Sequence, residues 1–178
     1  MAEEQKEKWL TYLASTTVLL AVLATLSTFY GQKNSTRSIV SEIKASNQWN
    51  YYQAKKIRSY LFEVQKEGLE TDLKMREKTV PSDVVALMEK RLNAFASKIK
   101  KWEEDMSKIS KEAKGFEAVR DKALQHSKNF GLAVVFLQMA ILLSSIAALM
   151  KIKIVWLVGL IIGCIGGFWF ANGFCLFV

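Results

Sequence analysis

The chain has 178 residues, of which 51% are hydrophobic and 24% are charged, and its net charge is +8. A basic chain of this length invites comparison with nucleic-acid-binding domains. Its acidic and basic residues are interleaved, however, which is typical of solvated helix faces and not of a continuous phosphate-binding surface. The sequence therefore predicts no nucleic-acid partner. It leaves membrane lipid, including anionic headgroups, as a candidate partner.

Residue sets for catalysis, cofactor binding or metal binding are not found in the sequence. There is one histidine, His126, and no glycine-rich phosphate loop. The two cysteines, Cys164 and Cys175, fall in one apolar segment and are too far apart on a single helix to form a disulfide. We therefore expect that the protein is not an enzyme and that it has no catalytic residues, cofactor or metal site.

Charge and hydrophobicity are segregated along the chain. After a short polar head at 1–8, three segments carry no charged residue: 9–30, 130–150 and 154–178. About 20 helical residues are enough to cross a hydrocarbon layer of roughly 30 Å. The pattern predicts three transmembrane helices, with a basic turn at 151–153 between the second and the third.

The charged region between the first two apolar segments, residues 31–129, contains a single proline, Pro81. Proline suits a turn or the start of a helix. We therefore expect two helical arms of similar length, at about 35–78 and 82–129, with the turn near Pro81. The predicted fold is an all-α membrane protein in which an antiparallel coiled-coil stalk separates the first two of three transmembrane helices.

The second arm carries the most regular pattern in the chain. Ten consecutive apolar positions follow one another in steps of three and four, which is the spacing of a coiled-coil seam. They are Val85, Met88, Leu92, Phe95, Ile99, Trp102, Met106, Ile109, Ala113 and Phe116. No strong stop signal follows, so we expect one continuous helix from about residue 82 to about residue 150.

The first arm shows two apolar directions. One has heptad spacing but passes through three polar residues, and polar residues in a seam weaken packing while helping to specify register. The first set is Ile39, Ile43, Ile57, Tyr60 or Leu61 and Val64, interrupted by Ser46, Asn50 and Gln53; the second is Ala45, Trp49 and Tyr52. Both sets are usable if more than two helices meet. For Trp49, Tyr52 and Gln53, packing against the second arm and contact with another subunit or partner both stay open.

The apolar segments contain few polar residues. Glycines at every fourth position, Gly159, Gly163 and Gly167, allow close helix packing within or between subunits. Gln138 is the only amide of the second segment, and an interhelical hydrogen bond and a pore-lining role are both open. The segments contain no ionisable side chain except cysteine thiols, which argues against an ion-coupled transporter.

Parts of the chain resemble a known family. The strings Ser35-Thr36-Arg37-Ser38 and Ala45-Ser46-Asn47-Gln48-Trp49-Asn50-Tyr51-Tyr52-Gln53-Ala54-Lys55-Lys56-Ile57, and the late Asn172-Gly173-Phe174, are similar to the uncharacterised bacterial membrane family called domain of unknown function 4337. The resemblance covers essentially the full chain. Because that family has no known activity, it implies no functional residues.

Topology follows from positive charge near the apolar segments. Lys151 and Lys153 in the short turn, together with Lys6 and Lys8, predict a cytoplasmic N-terminus and a stalk on the periplasmic side of the bacterial inner membrane. Basic residues at the membrane ends of the stalk favour the reverse orientation, which stays open. The resemblance supports the first orientation, since the head and the hairpin between the last two segments are basic in that family.

We therefore expect a homo-oligomeric scaffold or structural protein of the inner membrane that self-assembles through its spans and stalk. One alternative is an oligomeric channel or pore. Another is a membrane-anchored stalk that binds a protein partner or an envelope component.

Overall fold

The computed structural model describes residues 2–76 and 81–177, of which 2–8 are described by their helical backbone alone. The described chain is all-helical: α1 is Ala2–Arg76, α2 is Ser82–Met150 and α3 is Lys153–Cys175. The predicted end of the first arm near residue 78 lies outside the described residues.

α1 is a single helix of 75 residues. The sequence predicts a separate first arm from about Ser35, whereas the helix continues unbroken through this region. Gly31 is helical and approaches α2 closely, since a Cβ there would lie 3.3 Å from the Cβ of Phe130. The Asn34 side chain donates a hydrogen bond to the carbonyl oxygen of Tyr30 at 2.9 Å. Both potential helix breakers therefore serve helix packing or local backbone bonding.

α2 begins directly after the proline. The carbonyl oxygen of Pro81 accepts hydrogen bonds from the backbone N–H groups of Val84 and Val85, at 3.1 and 3.2 Å, and so closes the first turn. Ser82 bonds the carboxylate of Asp83 at 3.2 Å through its hydroxyl. The helix then runs 69 residues without interruption, as the sequence predicts.

The connection between α2 and α3 is a two-residue turn. Lys151 has a left-handed backbone with φ of 56°, and the N–H of Ile152 donates to the carbonyl oxygen of Ala147 at 3.2 Å. This pairing satisfies a terminal carbonyl of α2 and ends the helix sharply. α3 begins at Lys153, so the last residue of the predicted basic turn is already helical.

The chain divides into two units, each with its own packing. The three-helix unit is Met1–Val40 and Val119–Val178, and the two-helix unit is Ser41–Ala118. The core of the three-helix unit is built from leucine and alanine, and small alanine side chains let helices approach closely. Its central members are Leu20, Ala24, Ala133, Leu137 and Ala140.

Each of the three helices contains a segment that is long and apolar enough to cross a membrane. Only 22%, 28% and 17% of the most apolar windows of α1, α2 and α3 are buried within the chain. Most of this apolar surface is therefore left uncovered by a single copy of the protein.

In the two-helix unit α1 and α2 are antiparallel. The ring of Phe62 on α1 lies between two rings of α2, with centroids 5.4 Å from Phe95 and 4.9 Å from Trp102. All ten apolar positions predicted as the seam of α2 are half-buried or buried, and Ala113 is fully inaccessible. The predicted inward face of α2 is thus confirmed.

Candidate functional site

The inward face of α1 in the two-helix unit is mostly polar. Its members are all at least half-buried and follow one another in steps of four and three, so they form the seam that meets α2. They are Ser41, Ala45, Gln48, Tyr52, Lys55, Ser59, Phe62, Lys66, Leu69 and Leu73. We call this set the inner seam.

Side-chain hydrogen bonds to α2 compensate for the polarity of the inner seam. Gln48 donates to the Glu112 carboxylate at 3.1 Å. Beside the seam, the Trp49 ring nitrogen donates to the Glu117 carboxylate at 2.8 Å. Such bonds are made only when the helices have the correct rotation, so they orient α1 against α2.

The Lys55–Asp105 ion pair lies at the centre of these contacts, with 2.6 Å between the Lys55 Nζ and the Asp105 Oδ2. The hydrogen bond from Lys55 holds the pKa of Asp105 below its ordinary value. The same hydrogen bond raises the pKa of Lys55 above its ordinary value, against partial desolvation. Both groups are therefore held in their charged forms.

The opposite side of α1 carries an exposed apolar stripe. It begins two positions after the inner seam, and a two-residue offset turns about 200° around a helix. The apolar members are Ile43, Ile57, Tyr60, Leu61 and Val64, with exposed fractions of 55%, 62%, 55%, 59% and 66%. The polar positions between them, Ser46, Asn50 and Gln53, are exposed as well. We call these eight residues the outer stripe.

The outer stripe is the heptad pattern that the sequence shows most clearly on the first arm. Its apolar side chains point away from α2, so one copy of the chain leaves them in solvent. Singly exposed apolar residues are ordinary, but an aligned set along a helix marks an interaction surface. The stripe is therefore the candidate functional site.

The predicted aromatic contacts of the first arm are divided between the two faces. Trp49 and Tyr52 are half-buried and stack edge to face with 5.6 Å between ring centroids. Both belong to the side of α1 that packs against α2. Gln53 is exposed and lies in the outer stripe.

The glycines of α3 contact neighbouring helices of the same chain at two of the three predicted positions. A Cβ at Gly159 would lie 3.3 Å from the carbonyl oxygen of Ala140, and one at Gly163 would lie 2.9 Å from Leu20. Gly167 has open space around it. Gly166, which the fourfold spacing does not include, takes the third inward position.

Gln138 lies on the outward side of α2. Among the described residues, no hydrogen-bond partner within the chain is recorded for its amide. Gly131 and Ser145, seven residues before and after it, are also exposed. The hydroxyl of Ser145 is satisfied by the carbonyl oxygen of Ile141 at 2.9 Å.

In the part of the chain that the structure describes, no three histidine, cysteine or acidic residues lie together as a group able to hold a metal ion. Cys164 and Cys175 are free and exposed. The arrangement of the described side chains offers surfaces for helix association, and the outer stripe is the largest of them outside the apolar segments.

These features define an all-α protein with three candidate membrane spans and an antiparallel two-helix unit. Over residues 9–176 the chain matches the family described as Domain of unknown function (DUF4337), and it belongs to that family. The match confirms the resemblance noted in the sequence. Searches of curated proteins and of solved structures found no match.

Proposed function

We propose that this protein spans the bacterial inner membrane with three helices and self-assembles there into a scaffold through the outer stripe. The observation that carries the proposal is the row of exposed aliphatic side chains on α1, outside the candidate spans and on the side opposite to α2.

Aromatic clusters at both ends of the three-helix unit support membrane insertion. Trp9 and Trp156 lie 6.3 Å apart at one end, and Tyr30 lies 4.9 Å from Phe174 and 5.7 Å from Phe130 at the other. The 21 residues from Trp9 to Tyr30 rise by about 31 Å, which matches a hydrocarbon layer of roughly 30 Å. Tryptophan and tyrosine concentrate at both interfaces of such a layer.

The outer stripe contains enough apolar surface to hold copies together. Full burial of an isoleucine, leucine or valine side chain contributes about 1.5–3 kcal/mol. Ile43, Ile57, Leu61 and Val64 are 55–66% exposed, so their burial would contribute roughly 4–7 kcal/mol per chain. This gain must exceed the cost of association, which is lower for copies that already share a membrane.

Membrane insertion also sets the geometry of association. Copies inserted in one orientation present their outer stripes in parallel, which is the arrangement in which equivalent heptad positions meet. Ser46, Asn50 and Gln53 would then lie opposite their own counterparts. Asparagine at such a position pairs with itself and specifies register.

The test uses full-length protein in mild detergent and in lipid nanodiscs, with particle mass as the measurement. We expect an oligomer for the native chain and a smaller particle for Ile57→Asp, because the change places a charge in the contact. Gln65→Asp is the matched control: it adds the same charge at an exposed position of α1 away from the stripe. A native particle that weighs one chain would refute self-assembly.

Cysteine crosslinking locates the contact directly. With Cys164 and Cys175 replaced by serine, Ile57→Cys should form a disulfide between copies in native membranes, and Gln65→Cys should not. Equal crosslinking at both positions would mean random collision, and the outer stripe would then not be the interface.

For topology we propose a cytoplasmic N-terminus and a periplasmic two-helix unit, as the short Lys151–Lys153 turn favours. A single cysteine at Lys101, in the same cysteine-free background, should react with an impermeant maleimide in intact spheroplasts. Reaction only after lysis would reverse the orientation.

Gln138 supports a second candidate function, an oligomeric pore. An exposed amide within an apolar segment is costly in lipid and gains a partner at a helix interface or in a water-filled lumen. A pore requires ion flux in liposomes that changes on Gln138→Leu. Assembly without flux would leave the scaffold as the function.

A further inference from the structure

A cavity of about 230 Å³ in the three-helix unit is lined by basic side chains. Arg37 comes from α1, and Lys122 and His126 come from α2, while Val119 and Ala123 form the floor. Lys122 and His126 are four residues apart, so they lie on the same side of α2 and face the same space.

A hydrogen bond to α3 fixes the orientation of His126. Its Nδ1 lies 2.8 Å from the carbonyl oxygen of Gly173. Because a carbonyl oxygen only accepts hydrogen bonds, Nδ1 must carry the hydrogen. The ring nitrogen Nε2 is then the one left for a ligand.

The cations at this end of the three-helix unit outnumber the anions. Residues 31–40 and 119–129 contain five basic residues and one acidic residue, a net charge of +4. The acidic residue, Asp121, is paired with Arg120 at 2.8 Å. Among the described residues, no carboxylate is recorded within ion-pair distance of Arg37 or Lys122, so the cavity lacks an internal counter-ion.

The cavity lies at the depth of lipid headgroups if the helices span a membrane. Arg37 follows Tyr30 by seven residues, a rise of about 10 Å, and His126 precedes Phe130 by four residues, about 6 Å. Headgroup layers begin where the hydrocarbon ends and extend roughly 5–7 Å on each side. The basic side chains therefore begin where the aromatic cluster ends.

We propose that this cavity binds a phosphate group, and that its source is the headgroup of an anionic phospholipid. The guanidinium of Arg37 and the ammonium of Lys122 bind phosphate oxygens, and the His126 ring closes the cavity toward α3. Arginine matches phosphate geometry with paired N–H groups, and lysine adds a point charge. The choice of a lipid source rests on the proposed membrane insertion and does not depend on self-assembly.

The test is native mass spectrometry of the full-length protein titrated with phosphatidylglycerol, phosphatidylcholine or inorganic phosphate. The cavity pair is Arg37→Gln with Lys122→Gln. The control pair is Lys33→Gln with Lys128→Gln, which removes the same charge from the same two helices at exposed positions outside the cavity. Far-UV circular dichroism of both pairs should equal that of the native chain.

We expect preference for phosphatidylglycerol over phosphatidylcholine, and an affinity loss of about tenfold or more for the cavity pair, as expected when charge-assisted hydrogen bonds are lost. The control pair should change the affinity by less than about threefold, since exposed charges contribute little. Equal losses in both pairs, or no binding by the native chain, would overturn the site.

The remaining outcomes separate the source of the phosphate from the proposed membrane insertion. Inorganic phosphate that binds the native chain and not the cavity pair, without a preference among lipids, supports the site and makes free phosphate its ligand. Retention of the protein in alkali-washed membranes tests insertion independently. Protein lost from the membrane would refute the spans, whereas retained protein with no cavity-specific effect would refute this site alone.

Discussion

Two adjacent glycines of α3 allow a direct measurement of helix packing in the three-helix unit. A Cβ at Gly166 would lie 2.8 Å from the Cγ and 3.0 Å from the backbone nitrogen of Leu137, whereas a Cβ at Gly167 would have nothing within 4 Å. The backbone nitrogen cannot rotate away as a side chain would. A methyl group at Gly166 therefore forces α3 away from α2.

The two variants differ by the packing term alone. Glycine-to-alanine replacement within a helix contributes up to about 1 kcal/mol of stability, and this gain is common to both positions. Overpacking at Gly166 costs about 1–3 kcal/mol. We expect Gly167→Ala to be neutral or stabilising and Gly166→Ala to be less stable than Gly167→Ala by about 1–3 kcal/mol.

The assay is reversible unfolding of the full-length protein in mixed micelles, with increasing sodium dodecyl sulfate and helicity read at 222 nm. Equal free energies of unfolding for the two variants would refute the observed rotation of α3, and so would a larger loss at Gly167. A lower particle mass for Gly167→Ala with unchanged stability would instead place Gly167 between subunits.

Three further variants test single contacts. Trp49→Phe removes the bond to Glu117 and should lower stability by about 1–2 kcal/mol in thermal unfolding, because the acceptor is charged. The contribution of the Lys55–Asp105 pair should be present at neutral pH. It should fall as pH drops through the lowered pKa of Asp105 and also as pH rises through the raised pKa of Lys55, so the difference in melting temperature between the native chain and Lys55→Met should shrink at both extremes. Ser144→Ala removes a buried hydroxyl for which the described residues offer no partner, and it should raise stability by about 1 kcal/mol in the micelle assay.

The inward face of α2 was predictable because its side chains are apolar. A strict spacing of three and four over ten positions indicates a buried stripe whatever the partner, and every member from Val85 to Phe116 is shielded in the structure. The continuity of α2 into the second apolar segment follows from the absence of a helix stop.

The inward face of α1 was not predictable from the same rule. Its positions include Ser41, Gln48 and Lys55, which hydrophobic periodicity counts as solvated. Their burial depends on polar partners on α2, such as Asp105, that lie far away in sequence. Periodicity identifies an apolar face but does not tell which partner covers it, so the apolar heptad of α1 gave no information about α2.

The glycine pattern was predicted in part because helix geometry drifts from a fourfold spacing. Relative to Gly159, a helix places Gly163 at 40°, Gly166 at −20° and Gly167 at 80°, taking 100° per residue. Two steps of four therefore leave the packing face, whereas a step of four followed by a step of three stays on it. The open space at Gly167 and the close contacts at Gly166 agree with this geometry.

The division of polar and apolar residues on α1 connects the two-helix unit to the proposed assembly. The inner seam relies on hydrogen bonds and a partly exposed ion pair, which contribute little individually, while the aliphatic side chains of the outer stripe face solvent. An isolated two-helix unit thus gains less from burial than its composition would allow. Association in a membrane would add that missing burial, because shared orientation and confinement lower the cost of bringing copies together. The same insertion that places the stripes in parallel thereby makes a modest apolar surface sufficient for assembly.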